Sequence, residues 1–170
     1  GLGIGAGDLV MIPALTFIAT ANSVRHSGAD VWLVDSDAAT WTMDFDLARR
    51  EILAKTDPHP NGRLHRDSGK ILRAIMPVMI MGACFDFAAV TALAKEFGLK
   101  IVVDAAAAIG TRAKGEVPIG ATGVDAVCYS FNGNKTVTCG GGGAIAAADS
   151  DLIARIKHLT STARIWPNYD

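Results

Sequence analysis

The stretch DFAAVTALAKEFGLKIVVD, residues 86–104, sets the fold class. Asp86 is a residue type that accepts hydrogen bonds from the free N–H groups at a helix start, and Phe87, Val90, Leu93, Ala94 and Phe97 then recur at the spacing of one buried helical face. Gly98 stops the helix. Ile101, Val102 and Val103 follow as a β-branched run that ends in Asp104. The unit reads as a helix feeding a buried strand, with a carboxylate at the strand's exit.

The same alternation extends in both directions. Upstream, Val10 to Ile12 reads as a strand closed by Pro13, Thr16 to His26 as a helix stopped by Gly28, and Val31 to Val34 as a strand ending at Asp35. Asp44 caps a helix that turns Phe45, Leu47, Ala48 and Ile52 to one side. Residues 55–70 are polar and hold Pro58 and Pro60, so they are expected to form a surface loop or small excursion. Ile75 to Met79 is the next strand, with Pro77 tolerated at an edge or strand start. Downstream of Asp104 comes a glycine-rich excursion, then Ala126 to Tyr129 running into Ser130. A last strand, Ala144 to Ala147, precedes a helix capped by Ser150 and bearing Leu152, Ile153, Ile156 and Leu159. Such an order predicts an α/β fold with a mostly parallel or mixed sheet covered on both faces. In such sheets the ligand lies beyond the carboxyl ends of the strands, where Asp104 and Ser130 fall.

Composition narrows the function classes. The chain has 170 residues, enough for one domain, and with 50% hydrophobic and 19% charged residues it is not a disordered segment. A net charge of −1 gives no electrostatic warrant for a nucleic-acid or anionic-membrane partner. Cys84, Cys128 and Cys139 show neither framework nor metal spacing, which predicts a reducing, cytoplasmic setting. No apolar run reaches the roughly 18 residues of a membrane span. Gly1 opens the chain and Trp166-Pro167-Asn168-Tyr169-Asp170 ends it without a closing element, so an internal portion of a larger enzyme is expected.

Several motifs are decoys. Gly1-x-Gly3-x-x-Ala6 has the spacing of a dinucleotide fingerprint but precedes a strand instead of following one. Gly133-Asn134-Lys135-Thr136 imitates a phosphate loop, yet Cys128 stands where that loop needs glycine. Gly140 to Gly143 reads as a tight backbone passage near a ligand or a subunit contact. His26, His59, His65 and His158 lack metal-ligand spacing, so no metal site is expected. Arg63, His65, Arg66, Lys70 and Arg73 make a weakly basic patch, read as a solvated loop or as a contact for a phosphorylated substrate.

The run Tyr129-Ser130-Phe131-Asn132-Gly133-Asn134-Lys135 carries the chemistry. Taken alone, Lys135 could be an exposed turn lysine. Asp104, directly after Ile-Val-Val, must reach water or pair with something. A lysine at one strand exit and a carboxylate at another suit pyridoxal phosphate: the first forms an imine, and the second keeps the ring nitrogen protonated.

The ordered set Gly7-Asp8-x-Val10-x-Ile12-Pro13-x-x-Thr16-Phe17-x-Ala19-Thr20-Ala21-Asn22, Gly28-Ala29, Val34-Asp35, Asp104-Ala105-Ala106, Ser130 to Lys135 and Gly140 to Ala144 resembles the DegT/DnrJ/EryC1/StrS family of pyridoxal-phosphate-dependent sugar aminotransferases, in register over essentially the whole chain. Ser130 to Lys135, Lys157 to Arg164 and the polar excursion before Ile75 resemble the branch that makes amino sugars for nonulosonic acids such as legionaminic acid. The resemblance implies the three-layer α/β/α large domain of the type I aminotransferase fold. Residues 1–170 would be its central, cofactor-binding part, without the N-terminal phosphate-loop segment and the C-terminal small domain. It also implies a homodimer.

Roles follow from the resemblance. Lys135 matches the Schiff-base lysine and Asp104 the partner of the pyridinium nitrogen. Ser130 matches a phosphate-binding hydroxyl, Asn132 a polar neighbour of the cofactor, and Phe17 the aromatic stacked on the ring. The implied reaction moves an amino group from L-glutamate to a keto sugar carried on a nucleoside diphosphate. Two alternatives stay open: a dehydratase or deoxygenase on the same scaffold, whose members typically carry histidine in place of this lysine, and a non-catalytic regulatory or sensor module. Two departures stand out. Ala107 occupies a position that usually bears Gln, His or Glu, and Met79, Ala83 and Cys84 replace a histidine-containing pattern.

Overall fold

A computed structural model describes residues 1–163; Arg164 of the 157–164 motif and the terminal Trp166 to Asp170 lie outside the described residues. The elements are β1 Asp8–Pro13, α1 Ile18–His26, β2 Asp30–Val34, α2 Phe45–Lys55, β3 Thr56–His59, β4 Gly62–His65, β5 Ile71–Ile75, α3 Phe87–Phe97, β6 Lys100–Asp104, β7 Arg112–Ala113, β8 Val117–Pro118, β9 Ala126–Ser130, β10 Gly143–Ala146 and α4 Ser150–Thr160.

The 86–104 unit folds as its sequence dictates. The Asp86 carboxylate accepts the N–H groups of Ala88 and Ala89 at 2.8 and 3.2 Å, closing two donors that the helix cannot satisfy itself. Gly98 ends α3 in the left-handed region, φ 67°, where a Cβ would be strained. The buried side of α3 carries the four apolar residues Val90, Leu93, Ala94 and Phe97.

The main path of the sheet runs β10-β9-β6-β5-β1-β2. Neighbours from β9 to β2 are parallel, and β10 returns antiparallel to β9. Strand periodicity splits the side chains between two faces. Leu9 and Met11 of β1, Ile75 of β5, Ile101 and Val103 of β6 and Val127 of β9 join Ala48 and Ile52 of α2 and the buried face of α3 in the larger core. Val10, Ile12 and Ala74 point the other way, toward Val24 of α1. On that second face α1 and α4 cover the sheet, with Ile156 and Leu159 near Val102, Ala126 and Ile145. The result is an α/β/α arrangement on a mixed, mostly parallel sheet.

Four expectations need correction. The polar stretch after Lys55 is a β-hairpin, β3 and β4, whose second strand pairs antiparallel with the start of β5. Arg63 holds it together by donating to the Thr56 hydroxyl at 2.9 Å and to its carbonyl at 3.0 Å. The strand expected at 75–79 lies earlier, at Ile71–Ile75, and Pro77 falls beyond it. There the Pro77 carbonyl accepts the Asp104 N–H at 3.0 Å, so the chain still tracks β6 without forming a regular strand. The last helix is capped by Asp149 rather than Ser150, its carboxylate accepting from Asp151 and Leu152 at 2.9 and 3.0 Å. The helix expected from Thr16 begins at Ile18.

Candidate active site

A cleft of about 510 Å³ opens at the carboxyl ends of β6 and β9 beside the start of α1. It is lined by Phe17, Thr20, Asp104, Ser130, Asn132 and Lys135, among others, so all five residues singled out from sequence share one cavity. Register explains this. Asp104 pairs with Cys128 across parallel β6 and β9, so Asp104 and Ser130 leave the sheet on the same rim.

Lys135 is held by the loop between β9 and β10. Its N–H donates to the Asn132 carbonyl at 3.0 Å, and the Asn132 amide donates to Asn134 Oδ1 at 3.1 Å. The loop closes on itself where Phe131 N–H meets the Gly142 carbonyl at 2.9 Å and Cys139 N–H meets the Phe131 carbonyl at 3.1 Å. The Ser130 hydroxyl accepts the Asn132 N–H at 3.3 Å. Gly143, opposite Ser130, permits the close pairing because a Cβ there would run into the Tyr129 carbonyl oxygen. The tight backbone passage expected of the glycine run is thus found at this position.

Both oxygens of Asp104 are engaged. Oδ2 accepts from the Thr20 hydroxyl at 2.6 Å, and Oδ1 accepts from the Ala106 N–H at 3.1 Å. Thr20 is almost fully buried and lies 2.7 Å from the hydroxyl of Thr16. Phe17, at the N-cap of α1, presents its ring with 73% of its surface exposed. Next to Asp104, burial and then the neighbouring carboxylate push the Cys128 thiol up to about 11, so it stays protonated at neutral pH. An amine, a braced carboxylate, a flat apolar face and a hydroxyl beside an amide can together hold a planar aromatic aldehyde that carries an anionic group.

Other sequence-level candidates resolve differently. Arg66 pairs with Asp57 at 2.7 Å, Lys70 pairs with Asp30, and Arg73 lies 3.8 Å from Asp8. Asp8, Asp30 and Ile71 begin their strands, so Lys70 and Arg73 are engaged in ion pairs at the sheet rim opposite the cleft, while Arg66 pairs within the hairpin. Ala106, not Ala107, lines the cleft; the Ala107 carbonyl faces Gly82, 3.2 Å from where a Cβ on that glycine would stand. Among the described residues no cluster of three or more metal-ligating side chains occurs, and no helix is long and apolar enough to cross a membrane. Sequence reasoning gave Thr16 and Thr20 no role. Their four-residue spacing was visible, but nothing local pointed to a partner 84 residues away.

The model of the DegT/DnrJ/EryC1/StrS aminotransferase family matches residues 1–167. The chain belongs to that family. Among curated DegT/DnrJ/EryC1/StrS-like relatives, GDP-perosamine synthase of Caulobacter vibrioides is 37% identical over 158 residues, covering 93% of this chain and 38% of that protein. The UDP-2-acetamido-2-deoxy-3-oxo-D-glucuronate aminotransferase of Pseudomonas aeruginosa is 34% identical over 159 residues, covering 93% and 39%. The chain therefore spans about two fifths of the length of these relatives. A DegT DnrJ EryC1 StrS aminotransferase from Brucella abortus superposes with a TM-score of 0.84 at 28% identity, over 99% of this chain and 43% of that one. Ntda from Bacillus subtilis, solved with bound cofactor PMP, gives 0.75 at 29% identity, over 94% and 32%.

Proposed function

We propose that this chain is the central, cofactor-binding part of the large domain of a pyridoxal-phosphate-dependent sugar aminotransferase. The observation that carries this reading is the shared cleft, lined by Asp104 at the exit of β6, Lys135 in the loop after neighbouring β9, and Phe17. The cofactor, when bound, supplies an electron sink that stabilises charge left on a carbon from which a proton is removed.

This chain's own residues do the rest. Lys135 Nζ would hold the cofactor's aldehyde group and, as a free amine, would move a proton at the reacting carbon. Asp104 would hold the ring nitrogen through its carboxylate and support a proton there. Phe17 would offer its flat apolar face to the ring and keep water from that side. Ser130 and Asn132 offer hydroxyl and amide groups to polar atoms of the cofactor.

L-Glutamate is the proposed donor, and the acceptor is a keto sugar on a nucleoside diphosphate, in line with the nucleotide sugars named in the two curated relatives. The narrower proposal, a sugar of the legionaminic acid type, rests on the resemblance of Ser130 to Lys135, Lys157 to Arg164 and the polar excursion before Ile75. A homodimer, with the phosphate loop and the small domain supplied by segments outside these residues, completes the proposed cytoplasmic enzyme.

The test is chemical trapping. Incubation with pyridoxal phosphate, borohydride reduction and peptide mass spectrometry should place the pyridoxyl group on Lys135. An adduct spread evenly over the chain's lysines, or one of equal yield after Lys135→Ala, overturns the assignment. Release of 2-oxoglutarate from L-glutamate in the presence of a keto sugar nucleotide tests the reaction itself.

A further inference from the structure

We propose that Thr20 is a positioning residue for Asp104 and that Thr16 completes a hydrogen-bond relay which holds this carboxylate aimed into the cleft. The inference rests on the cofactor reading above and extends it to two residues outside the expected constellation. Thr20 is 2% exposed, and its Oγ1 lies 2.6 Å from Asp104 Oδ2. A hydroxyl has one proton to give, and the carboxylate, which only accepts, takes it. The 2.7 Å contact between the two threonine hydroxyls then runs in one direction, with Thr16 donating to Thr20. The other acceptor within reach of Thr16, the Phe17 carbonyl, lies farther off at 3.4 Å.

The relay therefore reads Thr16 to Thr20 to Asp104, and each donated bond strengthens the next. On the other carboxylate oxygen the Ala106 N–H supplies a second donor at 3.1 Å. Both oxygens receive a donor, so the carboxylate is fixed in orientation, and each oxygen keeps a lone pair for a further partner. Asp104 shares the cleft with three other titratable groups: Cys128 and Tyr129, both pushed up by burial, and Lys135.

The position in the chain adds a second consequence. Phe17 stands between the two threonines, so the turn that braces the acid also carries the exposed ring. Without the Thr20 donor the carboxylate becomes the better base, and a proton shared with a ring nitrogen moves toward oxygen. A lost hydrogen bond to a charged group corresponds to a shift of roughly tenfold in the ratio of nitrogen-protonated to oxygen-protonated forms.

The experiment uses the full chain loaded with pyridoxal phosphate labelled with ¹⁵N in the ring, read by nitrogen NMR, with the Lys135 adduct quantified separately. Thr20→Val keeps the shape and removes the hydroxyl. It should move the ¹⁵N signal toward neutral pyridine while the adduct still forms, and Thr20→Ser should return it. A Thr20→Val signal equal to that of the unmodified protein overturns this inference alone. An unmodified protein without a Lys135 adduct overturns the cofactor reading and this inference with it. Should Thr20→Val not fold, Thr16→Val decides: it must move the signal in the same direction by a smaller amount, and an unmoved signal overturns the relay.

Discussion

Raising the pH above 9 should weaken the folded chain, with Cys128 the largest single contributor. Burial, then the Asp104 carboxylate, moves its thiol from an ordinary value of 9.0 up to about 11. Between those two values the unfolded chain has lost the thiol proton and the folded chain has kept it. Stability is then fully present below pH 9, falls as pH rises through the window and levels off above about 11. The gap corresponds to a loss of about 2–3 kcal/mol, a sizeable part of a typical domain's stability. Burial also pushes Tyr129 and Cys84 up, so the total alkaline slope is shared. Cys128→Ala separates the contributions. That variant starts lower at pH 8, because it loses buried sulfur contacts, but should show a shallower decline than the unmodified protein. Urea unfolding at pH 8, 9, 10 and 11 measures both curves. Curves that run parallel over the whole range would refute the argument.

Three further substitutions probe the frame of the cleft. Gly143→Ala drives a methyl group into the Tyr129 carbonyl and should cost about 1–3 kcal/mol in urea unfolding while lowering the yield of the Lys135 adduct. Asp86→Ala removes two bonds to the first turn of α3 and should lower stability by about 1 kcal/mol, read as a reduced melting temperature. Ile75→Ala, at a fully buried position of central β5, should cost about 2–5 kcal/mol by the same denaturation assay.

What was legible in the sequence was local. The cap at Asp86, the spacing through Phe97 and the stop at Gly98 lie within a few residues of what they determine, and α3 and β6 formed where expected. The acid and the lysine were legible because each interrupts or follows an apolar run. The hairpin of β3 and β4 was not, since its strands are four residues long and polar and hold by distant partners. Arg63 stacks over Phe97 at 5.4 Å, and β4 borrows an edge of β5. Pro58 misled as well, although it sits on β3, an edge strand where its missing N–H costs little. Arg73 hid the true position of β5 by breaking the apolar run of Ile71 to Ile75, and the Asp8 that faces it lies far away in sequence. Thr20 escaped for the same reason, a buried hydroxyl on α1 whose partner lies far off at the end of β6.

The separation of the two sheet rims has a consequence for how this chain can change. Ion pairs of Asp8, Asp30, Lys70 and Arg73 gather at the strand starts, while Phe17, Asp104 and Lys135 gather beyond the strand ends. Six residues of β1 lie between, roughly 20 Å of extended chain. Substitutions that far apart and without shared partners add nearly independently. A stabilising change at the hairpin rim can therefore compensate a destabilising change in the cleft loops. Selectivity can drift at one end of the sheet while the other end preserves the fold.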